Sequence, residues 1–170
     1  MKDRYSRQIL FPQIGKKGQG HLQKAHVLIV GVGALGSQSA EALARAGVGK
    51  LTLIDRDYVE ASNLQRQSLY TEEDVQAKLP KAIAAQHHLE KINSEIAIDA
   101  HVLDLTPIAL DRFAKKVDLI LDGTDNFDVR MMINDYPQKR QIPWIYGSCV
   151  GSYALTYTIL PGKTTCLHCL

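Results

Sequence analysis

The sequence predicts an α/β protein built on a doubly wound, mainly parallel β-sheet with one antiparallel strand at the carboxyl end. Apolar, β-branched runs alternate with helical segments, and the first run, residues 27–30, leads into a Gly-x-Gly-x-x-Gly motif. Such alternation is typical of a parallel sheet with helices on both faces. We therefore expect a Rossmann-like fold, in which ligands gather at the carboxyl ends of the strands.

The elements follow one another along the chain with clear boundary signals. Strands are predicted at about 25–30, 50–55, 96–102, 117–122, 142–150 and 153–160. Helices are predicted at about 35–46, 80–92, 107–115 and 126–138. Gly47 is a plausible C-cap, and Pro80 begins a helix where its missing N–H costs nothing. Gly151 lies between the last two strands, so a hairpin is predicted there and the final strand should be antiparallel.

Composition limits the classes of function. The chain has 170 residues and a formal charge of +2, which suits one globular domain with a sizeable core. The near-neutral balance argues against nucleic acid or a membrane as partner. No apolar run approaches the roughly 20 residues of a membrane span, and the N-terminus has no signal-peptide core. A cytoplasmic location is therefore expected.

Three glycines and an acid after the first two strands form the strongest motif. The motif is Gly31-Val-Gly33-Ala-Leu-Gly36, and Asp55 ends the second strand. Gly31 permits a tight turn, Gly33 lets a phosphate approach the backbone, and Gly36 allows the helix to pack closely on the sheet. The N–H groups at the helix start favour phosphate, and Asp55 is placed to accept hydrogen bonds from ribose hydroxyls. The motif therefore predicts an adenine-nucleotide site.

A further acid is predicted at the same edge of the sheet. The fourth strand ends in Asp122-Gly-Thr-Asp125-Asn126. A carboxylate beside phosphates is repulsive unless a cation lies between them, which favours Mg²⁺ held by Asp125 and phosphate oxygens. The alternative is that Asp125 caps the following helix, a common use of Asp at such a boundary. The two roles are compatible.

Two basic residues indicate a polyphosphate. Arg66 lies in a polar loop after the ribose acid, and Lys81 opens a helix, where the helix dipole disfavours a cation. A bound polyphosphate would remove that penalty. Alternatively, Arg66 covers the surface and Lys81 is a solvated helix residue. A nicotinamide dinucleotide, whose two phosphates form a diester, does not require two extra cations and a magnesium carboxylate, whereas a triphosphate does.

The three cysteines are too few for a disulfide framework. Cys166 and Cys169 have the Cys-x-x-Cys spacing of half a tetrahedral zinc site, to which His168 could add a third ligand despite its awkward position. The pair could instead be redox-active, but no thioredoxin-like β-α-β context surrounds it. Cys149 lies inside an apolar strand and is interpreted as a small core residue.

Taken together, these motifs resemble the MoeB/ThiF/HesA family, adenylating enzymes that activate ubiquitin-like sulfur carriers and are related to ubiquitin-activating enzymes. The resemblance covers essentially the whole chain, in the family's order. The matching residues are Arg4-Tyr-Ser-Arg7-Gln8, Gly31-Val-Gly33-Ala-Leu-Gly36, Asp55-Arg-Asp57, Ser62-Asn63-Leu-Gln-Arg66-Gln67, Lys81, Asp122-Gly-Thr-Asp125-Asn126 and Cys166-x-x-Cys169.

The resemblance implies ATP·Mg²⁺ binding and transfer of AMP to the C-terminal glycine carboxylate of a ThiS-like or MoaD-like carrier, in thiamine or molybdopterin biosynthesis. Asp55 would hold the ribose, and Asp125 would bind the metal. The nucleotide and its phosphates would be contacted by Asn63, Arg66 and Lys81. Two alternatives stay open: an NAD-binding dehydrogenase or regulatory module on the same fold, and a catalytically impaired nucleotide-binding fragment.

The resemblance also implies a homodimer, in which Arg7 would reach into the neighbouring subunit's site as an arginine finger. It divides the chain into an N-terminal helical extension (1–24), a Rossmann-like ATP-binding adenylation domain (25–160) and the start of a zinc-binding segment (161–170). Family members continue with a second Cys-x-x-Cys that completes a structural Zn²⁺ site. The chain is therefore expected to be truncated after the first pair.

Overall fold

The computed structural model of this chain describes residues 4–169. The strands are β1 His26–Val30, β2 Lys50–Ile54, β3 Ala97–His101, β4 Leu119–Asp122, β5 Trp144–Val150 and β6 Tyr153–Ile159. The helices are α1 Ser6–Ile9, α2 Gly15–Leu22, α3 Ala34–Ala46, α4 Glu72–Gln76, α5 Lys81–Ile92, α6 Pro107–Ala114 and α7 Phe127–Arg140. Single 3₁₀ turns lie at Ala61–Asn63 and Leu167–Cys169.

The six strands form one sheet in the order β3-β2-β1-β4-β5-β6. Neighbouring strands are parallel except for β5 and β6, which form an antiparallel hairpin. The strand order reverses between β1 and β4, the place where ligands bind in open α/β sheets. Val30 is in register with Ile54 on one side and with Asp122 on the other. The predicted Rossmann-like sheet with an antiparallel last strand is confirmed.

The core lies on both faces of the sheet, because successive residues of β1 point to opposite sides. Leu28 and Ile29 are both fully buried. Ile29 belongs to an apolar cluster that includes residues of α3 and α5, and Leu28 belongs to one that includes residues of α6 and α7. Burial on both faces explains why β1 is a continuous apolar run rather than an alternating one.

The N-terminal extension is attached to the body of the fold by Tyr5. Its buried ring lies against Gly47, and its hydroxyl accepts a hydrogen bond from Asn93 Nδ2 at 2.9 Å.

Two details of the helices compare differently with the sequence predictions. The short helix α4 was not predicted. Gly47 has the left-handed φ of 81° that is expected of a C-cap. Residues 1–3 and Leu170 of the predicted segments lie outside the described residues. Between residues 4 and 169, no helix is long and apolar enough to cross a membrane.

Candidate functional site

A cavity of about 880 Å³ lies at the carboxyl ends of β1, β2 and β4. Most of the residues predicted to bind a nucleotide line this one cavity. They are Gly31, Gly33, Asp55, Asn63, Arg66, Lys81 and Asp125. Gly36 lies beneath the glycine loop rather than on the cavity wall, while Arg7, Cys166 and Cys169 lie elsewhere.

The glycine loop has three glycines in three different situations. Gly31 has a left-handed φ of 81°, and a Cβ there would lie 2.8 Å from the carbonyl oxygen of Gly123. A Cβ on Gly36 would collide with the carbonyl oxygen of Gly31. Gly33 is different, because among residues 4–169, its two chain neighbours apart, only Gln67 Nε2, at 3.7 Å, lies within 4 Å of its Cβ position. The loop is therefore closely packed below and open toward the cavity.

Asp55 is held at the rim of this loop by two backbone groups. Its Oδ2 accepts a hydrogen bond from Val32 N at 2.7 Å, and its Oδ1 accepts one from Asp57 N at 2.8 Å. Burial raises the pKa of the Asp55 carboxyl, while these hydrogen bonds and the charge of Lys81 oppose the rise. Each carboxylate oxygen keeps a lone pair free, so the group can still accept a hydrogen bond from a ligand hydroxyl.

Lys81 is a buried cation at the first turn of α5. Its side chain is only 10% exposed, and Nζ lies 3.1 Å from Asp57 Oδ2. The backbone N–H of Lys81 also donates to the carbonyl oxygen of Asp57 at 2.8 Å. Asp57 therefore offsets the unfavourable position of this cation at a helix N-terminus.

The polar loop after β2 carries Asn63 and Arg66 in different environments. Asn63 is buried, and its Oδ1 accepts a hydrogen bond from Glu60 N at 3.2 Å. Arg66 is exposed, and its Nη1 donates to the carbonyl oxygen of Ser62 at 3.0 Å. Arg66 forms no ion pair with any residue between 4 and 169. Its charge is therefore available to a ligand in the cavity.

Asp125 does not cap α7, so the helix-cap alternative is wrong. The N-cap is Asn126, whose Oδ1 accepts hydrogen bonds from Asp128 N at 2.9 Å and from Val129 N at 3.2 Å. The Asp125 side chain is exposed, lines the cavity, and forms no hydrogen bond or ion pair within the described part of the chain. Its oxygens therefore suit a hard divalent cation.

The sequence reading missed the buried pair of Asp122 and Arg130. The Asp122 side chain is fully buried, and its Oδ2 accepts a hydrogen bond from Arg130 Nε at 3.1 Å. Arg130 also donates to the carbonyl oxygens of Thr124 and Gly147, so it joins the loop after β4 to β5. Burial raises the pKa of Asp122, while Thr124 and Arg130 oppose the rise. One feature of the sequence could have indicated this pair: Asp122 ends an apolar strand, and a buried carboxylate needs a cation nearby.

The interpretation of Cys149 as a core residue is wrong. The thiol is exposed and lines the cavity. The reason is the position of β5: only Trp144 and Ile145 pair with β4, while the rest of the strand pairs with β6 alone. The last two residues of the strand, Cys149 and Val150, are exposed, so an apolar run there does not mean burial on both faces.

Residues 5–170 match the sequence model of the ThiF family. The chain belongs to the ThiF family. It is 52% identical over 170 residues to the sulfur carrier protein ThiS adenylyltransferase of Bacillus subtilis (strain 168), covering 100% of this chain and 51% of that protein. The ThiS adenylyltransferase of Escherichia coli (strain K12) is 42% identical over 168 residues, covering 98% of this chain and 66% of that protein.

Solved structures also resemble the fold of this chain. The crystal structure of E. coli MccB with ATP matches with a TM-score of 0.89 and 33% sequence identity, covering 98% of this chain and 52% of that chain. This ThiF-family chain thus spans about half the length of the B. subtilis relative and of MccB. The family does not favour the alternative of an NAD-binding dehydrogenase.

The cysteine pair of this ThiF-family chain lies against α7. Cys166 Sγ and Cys169 Sγ are 3.6 Å apart, and Leu167 N donates to Asn134 Oδ1 at 2.8 Å. A hydrogen bond from Cys169 lowers the pKa of the Cys166 thiol. Two thiolates on one Zn²⁺ at 2.3 Å would lie about 3.8 Å apart, so their spacing fits that metal. Between residues 4 and 169, no three His, Cys, Asp or Glu side chains group as a metal site.

His168 is engaged with a carboxylate on α7. Its Nε2 lies 2.9 Å from Asp135 Oδ1. This contact leaves Nδ1 as the only ring nitrogen that could bind a metal. Cys166 and Cys169 by themselves supply half of a tetrahedral donor set.

Arg7 lies far from the cavity of its own chain. It is exposed on α1, which is fastened beside the end of α3 by a hydrogen bond from Gln8 Nε2 to Ala46 O at 3.0 Å. The glycine loop lies at the opposite end of α3, a helix of 13 residues. At 1.5 Å per residue this helix is about 20 Å long. Arg7 therefore lies out of reach of the cavity of its own chain.

Proposed function

We propose that this chain is the nucleotide-binding part of an adenylyltransferase that uses ATP and Mg²⁺ to activate the C-terminal carboxylate of a ubiquitin-like sulfur-carrier protein. The supporting observation is one cavity that combines an open glycine loop, a backbone-held Asp55, an unpaired cation at Arg66 and an unpaired carboxylate at Asp125. A nicotinamide dinucleotide, whose two phosphates form a diester, does not require the Arg66 cation or the Asp125 carboxylate.

In the proposed reaction, a carboxylate oxygen of the carrier attacks the α-phosphorus of ATP in line, and the bond to pyrophosphate breaks. Asp55 holds the ribose, while Asn63, Arg66 and Lys81 position the nucleotide and its phosphates. Asp125 holds Mg²⁺, which supplies charge neutralisation on the phosphate oxygens. No side-chain nucleophile is required, since the barrier is lowered by positioning and electrostatic stabilisation.

A ThiS-like carrier is our first choice, because the B. subtilis and E. coli relatives are both named for ThiS. A MoaD-like carrier of molybdopterin biosynthesis is the second. We also propose that Cys166 and Cys169 hold a structural Zn²⁺ together with two further ligands. A cytoplasmic location remains our expectation, since thiols persist unpaired in reducing compartments.

The test of nucleotide choice is binding to the chain itself. We expect ATP with Mg²⁺, and not NAD⁺, to raise the melting temperature. Lys81→Met should weaken ATP binding about 10- to 100-fold, since a hydrogen bond to a charged group is lost. Asp125→Asn should remove the difference in ATP affinity between Mg²⁺ and EDTA. Titration calorimetry measures both.

Lys91→Met is the matched control, because Lys91 is exposed at the other end of the same helix and does not line the cavity. Stabilisation by NAD⁺ without any effect of ATP would overturn the proposal. ATP–pyrophosphate exchange that appears only with a ThiS-like carrier would support the carrier assignment. Exchange with a MoaD-like carrier alone would refute it.

We propose that Arg7 acts in the neighbouring subunit of a homodimer. Its distance from its own cavity supports this arrangement. Arg7→Ala should lower pyrophosphate exchange by up to about 10³-fold, as arginine fingers do, with ATP affinity unchanged. Mixing Arg7→Ala with Lys81→Met chains should restore exchange, because one of the two sites then has both residues. Unaltered exchange by Arg7→Ala in a dimeric sample would contradict the role.

A further inference from the structure

The carbonyl group of Val32 is a buried acceptor in the middle of the glycine loop. Val32 is fully buried, and its carbonyl oxygen accepts a hydrogen bond from the Tyr70 hydroxyl at 2.6 Å. No other group of residues 4–169 donates to this oxygen. Buried carbonyl groups are nearly always paired, because an unpaired one loses its hydrogen bonds to water without replacement. The Tyr70 hydroxyl therefore satisfies a backbone acceptor of the glycine loop.

Tyr70 is itself held firmly in the core. The residue is 5% exposed, and its ring packs in the apolar cluster that contains Ile29. Its hydroxyl also lies 3.3 Å from the carbonyl oxygen of Lys81, at the start of α5. Burial raises the pKa of Tyr70, so the phenol keeps its proton and remains a donor. Tyr70 is therefore a fixed donor between the glycine loop and α5.

The peptide unit between Val32 and Gly33 carries the effect of this contact to the cavity. Peptide units are planar, and residues 4–169 contain no cis peptide bond, so Val32 C=O and Gly33 N–H point in opposite directions. Val32 O faces the buried Tyr70 hydroxyl, while Gly33 lines the cavity. Within the described part of the chain, Gly33 N–H forms no hydrogen bond. The hydroxyl therefore sets the direction of an N–H that is available to a ligand.

Glycine at position 33 leaves this peptide unit able to turn over. A half-turn would reverse both groups and would change φ of Gly33 from −74° to a positive value, which glycine adopts readily. The preceding peptide unit is held separately, because Val32 N donates to Asp55 Oδ2 at 2.7 Å. Among residues 4–169, only the Tyr70 side chain bonds to the Val32–Gly33 unit.

We propose that Tyr70 is a positioning residue, whose hydroxyl holds the Val32–Gly33 peptide unit with the Gly33 N–H directed at the phosphate of the nucleotide. This inference rests on the proposed function, since it takes ATP as the ligand. Without the hydroxyl, the peptide unit occupies two orientations, and the reversed one presents a carbonyl oxygen to the phosphate. The apparent affinity for ATP then falls by the fraction of chains that keep the binding orientation.

Tyr70→Phe tests the inference, because it removes the hydroxyl and keeps the ring. We expect the affinity for ATP·Mg²⁺ to fall about tenfold, which corresponds to roughly one chain in ten in the binding orientation. Adenosine has no phosphate and should bind Tyr70→Phe as it binds the unchanged chain. Titration calorimetry measures both ligands.

Tyr5→Phe is the matched control. Tyr5 is also buried, its hydroxyl bonds to Asn93 Nδ2, and its ring lies against Gly47 at the opposite end of α3 from the glycine loop. Both variants should lower the melting temperature, because each leaves a buried polar group without its partner. Only Tyr70→Phe should weaken the binding of ATP·Mg²⁺.

The Gly33 amide reports on the peptide unit directly. The chain has 12 glycines, so labelling with ¹⁵N-glycine gives a simple amide spectrum, in which the signal missing from Gly33→Ala identifies Gly33. In Tyr70→Phe without nucleotide, the Gly33 signal should shift or broaden as the unit exchanges between two orientations. ATP·Mg²⁺ should restore a single sharp signal. In Tyr5→Phe the Gly33 signal should stay where it is in the unchanged chain.

The outcomes separate the two proposals. If the unchanged chain binds no ATP·Mg²⁺, the proposed function fails and the inference fails with it. If Lys81→Met weakens ATP binding while Tyr70→Phe binds normally, only the role of Tyr70 is overturned. Equal losses for ATP and adenosine would also overturn it, because they indicate damage to the whole cavity. A Gly33 signal that Tyr70→Phe leaves unmoved would have the same consequence.

Discussion

Arg130→Met is expected to lower the free energy of unfolding at pH 7.5 by about 3–5 kcal/mol, the usual cost of leaving one member of a buried ion pair alone. Asp122 is fully buried and would lose the cation that balances its charge. Arg130 also donates to the carbonyl oxygens of Thr124 and Gly147, which would lose those bonds. The loop that presents Asp125 would be loosened, so ATP·Mg²⁺ binding should weaken together with stability.

The stability loss of Arg130→Met should depend on pH, and the sign of this dependence follows from the raised pKa of Asp122. A carboxyl whose pKa is raised by folding binds more protons in the folded state, so stability falls as pH rises between the two pKa values. Without Arg130 the pKa of Asp122 in the folded state rises further. The pH range over which stability falls therefore extends to higher pH. The loss in the free energy of unfolding is therefore largest above the pKa that Asp122 has in the variant. It becomes smaller at lower pH, because protonated Asp122 carries no charge that needs a cation.

Urea unfolding of both proteins at pH 7.5 and pH 5.5 measures this difference. Arg45→Met is the matched control, since Arg45 is 61% exposed and pairs with Glu41 one helical turn away. Its loss should stay below about 1 kcal/mol at either pH, as for other surface pairs. A deficit of Arg130→Met that is equally small, or that grows at pH 5.5, would contradict the assignment of a charged, buried Asp122.

Gly36→Ala is expected to lose stability and Gly33→Ala to lose ATP affinity, although the two glycines belong to one motif. At Gly36 the added methyl group collides with the backbone oxygen of Gly31, which no side-chain rotation relieves. We expect a loss of roughly 3 kcal/mol in the free energy of unfolding, at the upper end for overpacking. Alanine gains about 1 kcal/mol of helix propensity, which the collision outweighs.

At Gly33 the methyl group meets only Gln67 Nε2 at 3.7 Å, an ordinary contact, while the backbone (φ −74°, ψ −147°) lies at the edge of the extended region. Gly33→Ala should therefore lose clearly less stability than Gly36→Ala, while its ATP affinity falls about tenfold or more because the methyl group occupies the approach of the phosphate. Gly20→Ala, in open space on α2, is the control and should gain stability. Equal stability losses at Gly33 and Gly36 would refute this division.

Much of the fold was predictable from the sequence, because it follows from local patterns. Apolar runs separated by helical segments predict the parallel sheet, and Gly151 predicts the final hairpin with its φ of 59°. The parallel sheet also brings the strand ends together, which is why Asp55 and Asp125 line one cavity. These conclusions need only residue spacing and the geometry of strands and helices.

The partners of charged side chains were not predictable in the same way. Lys81 and Asp57 are 24 residues apart, and their 3.1 Å contact depends on how α5 meets the end of β2. The choice of Asn126 over Asp125 as N-cap decides that Asp125 is free, and a one-residue shift of the helix boundary would reverse it. Helix boundaries depend on tertiary packing as well as on capping propensity.

The sequence by itself determined the order of the six strands and of the four long helices between them, the glycine loop and the edge of the sheet where ligands gather. Only the tertiary structure decided that Arg130 pairs with buried Asp122, that Cys149 faces the cavity and that Tyr70 bonds to the glycine loop. The physical reason is the separation along the sequence of the residues that interact. Turns, helices and strands follow from interactions between residues a few positions apart, whereas burial and hydrogen-bond partners depend on residues that only the folded chain brings together.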